Sequence, residues 1–307
     1  MKRSLTGTLL VVMAASCYAN LPILTKLAYR AQVPMLSILQ WRFTFAVLLI
    51  WLLWPLWRRW VTLRGLSFKQ VLTLLGLGVY FCIPAFTSVM ALSRVPAMTF
   101  TLLVYTYPTQ VALISFLLGE RLPLTSWLAV FLATAGCALT VLGGAGEGLV
   151  IRSLGDVLWP LANALSYAIY LVVVGRLGEL GTRVSSTALT MTGTLLAVSV
   201  VGLTFGVSAP TSSQGWLPLL GMATIGTAIP IAAMFGGVGR IGPTNASILA
   251  TFEPLLTITL AAVLLHEKAG IAQLWGGVLI LSSVVLLHAS PLTRRFAARR
   301  QSAHLPD

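Results

Sequence analysis

Apolar residues run along this chain in long unbroken blocks, and the polar residues gather in short segments between them. About 20 apolar residues is the length an α-helix needs to cross the hydrocarbon core of a bilayer. Blocks of that kind fall at 5–25, 35–57, 70–92, 96–118, 124–144, 154–175, 185–207, 216–236, 243–265 and 270–289. They are continuous rather than alternating with period two, so the pattern predicts helices and not the strands of a barrel. The expected fold is an all-α integral membrane protein with ten transmembrane helices joined by short loops.

One segment occurs twice within that pattern. Arg94 matches Arg240 and Pro108 matches Pro254 at a single offset, and Glu120-Arg121 matches Glu267-Lys268 after insertion of one residue in the second copy. Ser16-Cys17-Tyr18-Ala19 aligns more weakly with Leu165-Ser166-Tyr167-Ala168. An odd number of spans per half turns the second copy upside down, which predicts two inverted-topology five-helix repeats. They are expected over 1–145 and 150–290, divided by the Gly-rich stretch 143–148 and followed by a basic cytoplasmic tail, 291–307.

Composition agrees with a bilayer protein: 57% of the 307 residues are hydrophobic and 9% charged, with a mean hydropathy of +0.92. The net charge of +13 does not point to nucleic acid, because the cations are dispersed among apolar spans. With both termini on one side, that side holds fourteen Lys and Arg, among them Lys2, Arg3, Arg58, Arg59, Arg240 and Arg294. The other side holds five, Lys26, Arg30, Arg94, Arg152 and Lys268. By the positive-inside rule both termini are expected in the cytoplasm; the membrane itself is expected to be a bacterial inner membrane. Trp51, Trp54, Trp57 and Trp60 are expected at the headgroup level at the inner end of the second span. Cys17, Cys82 and Cys137 lie inside spans as packing residues, with no disulfide or metal spacing. Lys2-Arg3 could flank a signal peptide, but the run continues to about Thr25 without a small-x-small cleavage site.

These features together resemble the EamA-type branch of the drug/metabolite transporter superfamily. In that family each half ends with a proline-bearing helix, a Gly-Glu or similar pair at its exit, and a Gly-containing fifth helix. The counterparts here are Pro108 with Gly119-Glu120, and Phe252-Glu253-Pro254 with His266-Glu267 and Gly276-Gly277. Tyr18-Ala19 and Lys26 stand where the family often has Trp-Gly and Lys, and Trp41-Arg42-Phe43 where it often has Leu-Arg-Phe. The chain departs from the pattern at Tyr18, in the shorter stretch between Pro108 and Glu120, and at Ala129-Val130 where the second half has Gly276-Gly277. The resemblance implies a central cavity lined by the first, fourth, sixth and ninth helices, with the second and seventh outside it.

A formally charged residue inside a span is a functional candidate by default, and the proposed spans contain three: Arg42, Asp156 and Glu253. Asp156 opens the sixth helix, where a carboxylate complements the helix dipole. Arg42 lies about two turns into the second helix and is expected to snorkel outward or form a structural ion pair. Glu253 stands mid-span before Pro254. It either locks the carbonyl that proline frees one turn earlier or serves as a protonatable or cation-binding group facing the cavity. Tyr18, Asn20, Tyr105, Tyr107, Asn163, Tyr167, Tyr170 and Asn245 form the expected substrate-binding set, since rings and amides offer apolar contact with a few oriented hydrogen bonds. Interhelical hydrogen bonding is their alternative role. Pro108 and Pro254 are the expected hinges. Gly221, Gly226, Gly236, Gly237 and Gly239 permit close helix approach.

The function expected is a secondary transporter, an exporter of small metabolites such as amino acids or related amphipathic compounds, working by alternating access. Its partners are then a small-molecule substrate and the lipid bilayer, with coupling to a proton gradient through Glu253 and no nucleic acid. No GxxxxGK[ST] motif occurs, so the energy comes from a gradient or from the substrate itself, and no cofactor or metal is expected. The alternative is a nucleotide-sugar or sugar-phosphate exchanger of the same superfamily, but a dianionic phosphate needs several buried cationic donors. An integral-membrane enzyme fits poorly, because no HExxH motif or aspartate pair is present in the spans.

Overall fold

A backbone in hydrocarbon must satisfy its own hydrogen bonds, and the apolar blocks do so as helices. The computed structural model describes residues 2–52, 66–119, 122–142, 153–177, 183–230, 233–234, 237, 240, 249 and 252–289. Among them there are helices and turns and no strand. In chain order the helices are α1 (Lys2–Tyr18), α2 (Asn20–Arg30), α3 (Met35–Leu52), α4 (Phe68–Arg94), α5 (Ala97–Val104) and α6 (Tyr107–Leu117). Then come α7 (Leu124–Leu142), α8 (Gly155–Leu177), α9 (Arg183–Phe205), α10 (Ser213–Ala223), α11 (Phe252–Leu265) and α12 (Ile271–Ala289). A short π-helical turn, Thr224–Ala228, continues α10.

Among the described residues, six stretches are long and apolar enough to cross a membrane: Leu5–Arg30, Met35–Leu52, Phe68–Arg94, Ala97–Leu117, Gly155–Val174 and Ser185–Phe205. Shorter apolar helices cover Leu124–Thr140, Phe252–Leu265 and Ile271–Leu286. All lie where the hydrophobic pattern places spans. Two of the long stretches are not single helices, however: α1 and α2 are separated at Ala19, and α5 and α6 at Tyr105-Thr106. Large apolar side chains cover the outside, among them Leu52, Leu117, Leu203 and Phe205. So much exposed hydrocarbon is the surface of a chain solvated by lipid.

Local chemistry fixes several ends. Ser67 Oγ accepts from Gln70 N at 3.3 Å while Ser67 N donates to Gln70 Oε1 at 2.9 Å, the reciprocal capping box that starts α4. The left-handed conformations of Gly119 (φ 93°) and His266 (φ 58°) close α6 and α11. Each stands immediately before a glutamate, Glu120 and Glu267.

Small residues set the crossings. A methyl on Gly136 of α7 would lie 2.6 Å from the Gly276 carbonyl of α12, and one on Gly78 of α4 would lie 2.8 Å from Gly193 Cα of α9. These backbones touch, which only residues without a Cβ allow. The expected small-residue contacts hold at Gly221 and Gly226, whose added methyls would meet Leu24 and Leu21, and at Gly237, whose methyl would lie 3.0 Å from the Gly7 carbonyl. Gly236 and Gly239 lie outside the described residues. Trp51 binds across to α9, Nε1 donating to Thr192 Oγ1 at 3.1 Å, and Trp54, Trp57 and Trp60 lie outside the described residues.

Candidate functional site

The two interrupted helices follow from two prolines. Pro22 cannot donate to the Tyr18 carbonyl and Pro108 cannot donate to the Val104 carbonyl, so each ladder breaks one turn upstream. Local groups absorb the damage. Asn20 Nδ2 donates to the Ser16 carbonyl at 2.7 Å, Thr106 Oγ1 to Leu103 O at 2.7 Å and Thr109 Oγ1 to Thr106 O at 2.6 Å. Thr257 Oγ1 on α11 reaches the Ala19 carbonyl at 3.2 Å as well as Glu253 O at 3.0 Å, pinning α11 against the first break.

Pro108 was expected in mid-helix. It is instead the second residue of α6, behind a true break, because its ring also clashes with the preceding turn.

The second break places Tyr105 and Tyr107 next to α8. Tyr105 and Tyr107 meet edge-on at 5.9 Å between ring centroids, Tyr107 and Tyr167 at 5.1 Å, and Tyr167 stacks on Tyr170 at 6.2 Å. Phe81 of α4 extends the series to Tyr170 at 5.1 Å. Contacts of this kind are worth about 0.5–1.5 kcal/mol each beyond area burial, so the ladder is a firm wall. Four expected residues, Tyr105, Tyr107, Tyr167 and Tyr170, are thus brought together. The Glu253 carboxyl lies beside them, within electrostatic reach of Tyr18, Tyr105, Tyr107 and Tyr167. These tyrosines are enclosed by protein yet keep accessible surface. A carboxyl ringed by phenols in such a place can accept a proton, a cation or an ammonium group.

Other expected residues stand apart from this cluster. Asn163 is buried and interhelical, Nδ2 donating to the Pro84 carbonyl at 2.6 Å and to Thr87 Oγ1 at 3.2 Å; it secures α8 to α4 where Pro84 disturbs the ladder. Asn20 binds back across the break to α1, as above. Arg42 does not snorkel outward: its Nε is buried without an acceptor among the described residues, its guanidinium lies 5.1 Å from the Phe43 ring centroid, and Tyr18 is within its electrostatic reach. Asn245 lies outside the described residues. Asp156 caps its own helix, its oxygens accepting from Ser153 N and Oγ at 3.1 Å each, and it also pairs with Arg94 at 3.8 Å.

Three residues escaped the reading of the sequence. Gln110 presents a buried Oε1 with no donor among the described residues, one turn past the Tyr105-Thr106 break. Thr257 ties the first break to α11. Glu267 crosses to α5, accepting from Ala97 N at 2.8 Å and Met98 N at 2.9 Å. Only the last had a signal, its repetition as Glu120. Among the described residues no group of His, Cys, Asp and Glu could hold a metal ion.

Comparison with known proteins gives a consistent picture. The model of the EamA-like transporter family matches residues 5–142 and 155–289. An uncharacterized transporter of Bacillus subtilis, YcbK, is 26% identical over 284 residues, 90% of each chain. An uncharacterized transporter of Archaeoglobus fulgidus is 27% identical over 214 residues, 70% of this chain and 75% of that one. A crystal structure of another protein superposes with a TM-score of 0.62 at 22% identity, over 94% of this chain and 98% of the other, a likeness of fold.

Proposed function

The chain belongs to the EamA-like transporter family, and from that premise we propose that this membrane transporter exports small amphipathic metabolites, amino acids or related compounds. Ten transmembrane helices, arranged as two inverted five-helix repeats, would alternate access to a central site. The observation that carries the reading is the tyrosine ladder ending on Glu253. A substrate amine would face the carboxyl while its apolar body lies on the rings, a combination of few oriented polar groups and much aromatic surface that suits an organic solute. Tyr18, Tyr105, Tyr107, Tyr167 and Tyr170 are the binding residues, and Asn20, Asn163 and Asn245 complete the set around them. Arg42 would attract the carboxylate end. Pro108 and Pro254 act as hinges where the backbone lacks a ladder bond.

Glu253 would exchange a proton with the gradient as the site changes sides. The charge bias supports cytoplasmic termini, and the relatives from bacteria support an inner-membrane location. Purified chain in proteoliposomes preloaded with unlabelled proteinogenic amino acids tests the substrate class. Saturable counterflow of at least one labelled aromatic or branched member is expected, with loss in Tyr105→Ala. Passive rates for every member would overturn it.

A further inference from the structure

Away from the tyrosines, a cavity of about 840 Å³ opens between α2, the α4–α5 loop, the start of α8 and the turn after α11. Five charged side chains line it: Lys26, Arg30, Arg94, Asp156 and Glu267. Four have partners. Arg30 Nη2 donates to the Leu265 carbonyl at 3.0 Å, Arg94 pairs with Asp156 at 3.8 Å, and Glu267 commits one oxygen to each of two α5 amides.

Lys26 is different. No hydrogen bond or ion pair reaches its ammonium among the described residues, although Glu267 and Arg30 lie within its electrostatic reach. It sits four residues before Arg30 on the same helix, on the same face and one turn further in. Lys26 is part-buried as a residue, an ammonium drawn from water without a partner is costly, and Glu267 does not hydrogen-bond it. Three cations against two carboxylates leave the cavity lining one positive charge in excess. Leu92, Val95 and Leu265 supply apolar wall beside the charges.

We propose that this vestibule is an anion-binding site in which Lys26 receives the carboxylate of a small organic solute, with Arg94 and Arg30 drawing it inward. A lipid phosphodiester carries the same single negative charge, but Lys26 lies a turn deeper than Arg30, in a space sized for a solute rather than at a surface sized for a headgroup.

The full-length chain in phosphatidylcholine nanodiscs, titrated with sodium benzoate by calorimetry at constant ionic strength, tests the proposal. Wild type should bind saturably, and Lys26→Gln should weaken binding about tenfold or more, the loss expected for a hydrogen bond to a charged group. Lys26→Arg should keep saturable binding and show that the loss is one of charge rather than of folding. Arg94→Gln, outside the membrane interior, should weaken it to a lesser degree. Equal affinity in wild type and Lys26→Gln would overturn the proposal, as would an equal response to sodium chloride. Loss of benzoate binding when phosphatidylglycerol is added to the disc would assign the site to headgroups and overturn it too. The readout is binding at the vestibule, so its failure is distinct from a failure of transport through the tyrosine site.

Discussion

Glu253→Gln should abolish accumulation driven by a pH gradient while leaving substrate exchange. The amide has nearly the shape of the carboxyl and can still hydrogen-bond, so the aromatic ladder keeps its geometry. It cannot bind or release a proton, so the step that ties substrate movement to the gradient is removed. A neutral hydrogen bond nets about 1 kcal/mol, and thermal unfolding in detergent should therefore shift little. The structural reading, in which Glu253 locks the carbonyl freed by Pro254, places that carbonyl at position 250, outside the described residues. It expects the opposite pair of results, a modest loss of stability with the pH profile of transport intact. Measuring accumulation against external pH in wild type and Glu253→Gln separates the two, and an unchanged profile with unchanged accumulation would defeat the coupling role.

Glu267→Ala should be the more damaging change to the fold. α5 starts at Pro96-Ala97, and the Pro96 side chain offers no cap, so the first amides of the helix depend on a group from elsewhere. Glu267 supplies it from beyond α11, where left-handed His266 turns the chain back. Two hydrogen bonds to a charged acceptor at the positive end of a helix are at stake. Their loss should cost about 3 kcal/mol, since each such bond nets roughly 1.5–3 kcal/mol and water replaces part of it. Glu267→Gln should fall between, having one acceptor oxygen and no charge. The measurement is the midpoint of thermal unfolding in detergent, and a Glu267→Ala midpoint equal to wild type would refute the cap. Because the contact joins the first half of the chain to the second, the same variant should also alter the rate of exchange.

The helices were legible because lipid leaves the backbone a single local solution, and twenty apolar residues announce it. Tyr105, Tyr107, Tyr167 and Tyr170 were legible as a group because polar aromatics are scarce in such spans. The breaks were less so. Pro108 marked one but read as a bend in mid-helix, and Pro22 marked the other in plain view within a span taken as continuous. Asn163 could not be placed from sequence, since an amide that binds Pro84 O across 79 residues looks the same as one that faces a substrate. Gly136 was passed over for Ala129-Val130 because its partner Gly276 is adjacent only after folding. Arg42 was sent outward by its depth along the helix, yet the direction of a side chain depends on its face, which an all-apolar helix does not reveal.

Cysteine accessibility tests the account most directly. In a background with Cys17, Cys82 and Cys137 replaced by alanine, single cysteines at Tyr18 and Tyr167 should react with a membrane-impermeant thiol reagent and be protected by substrate. Cysteines at Val47 and Val198, where the side chains are buried, should react far more slowly. Equal reactivity at all four positions, or none at Tyr18 and Tyr167 from either side of the membrane, would contradict a water-reached site among the tyrosines.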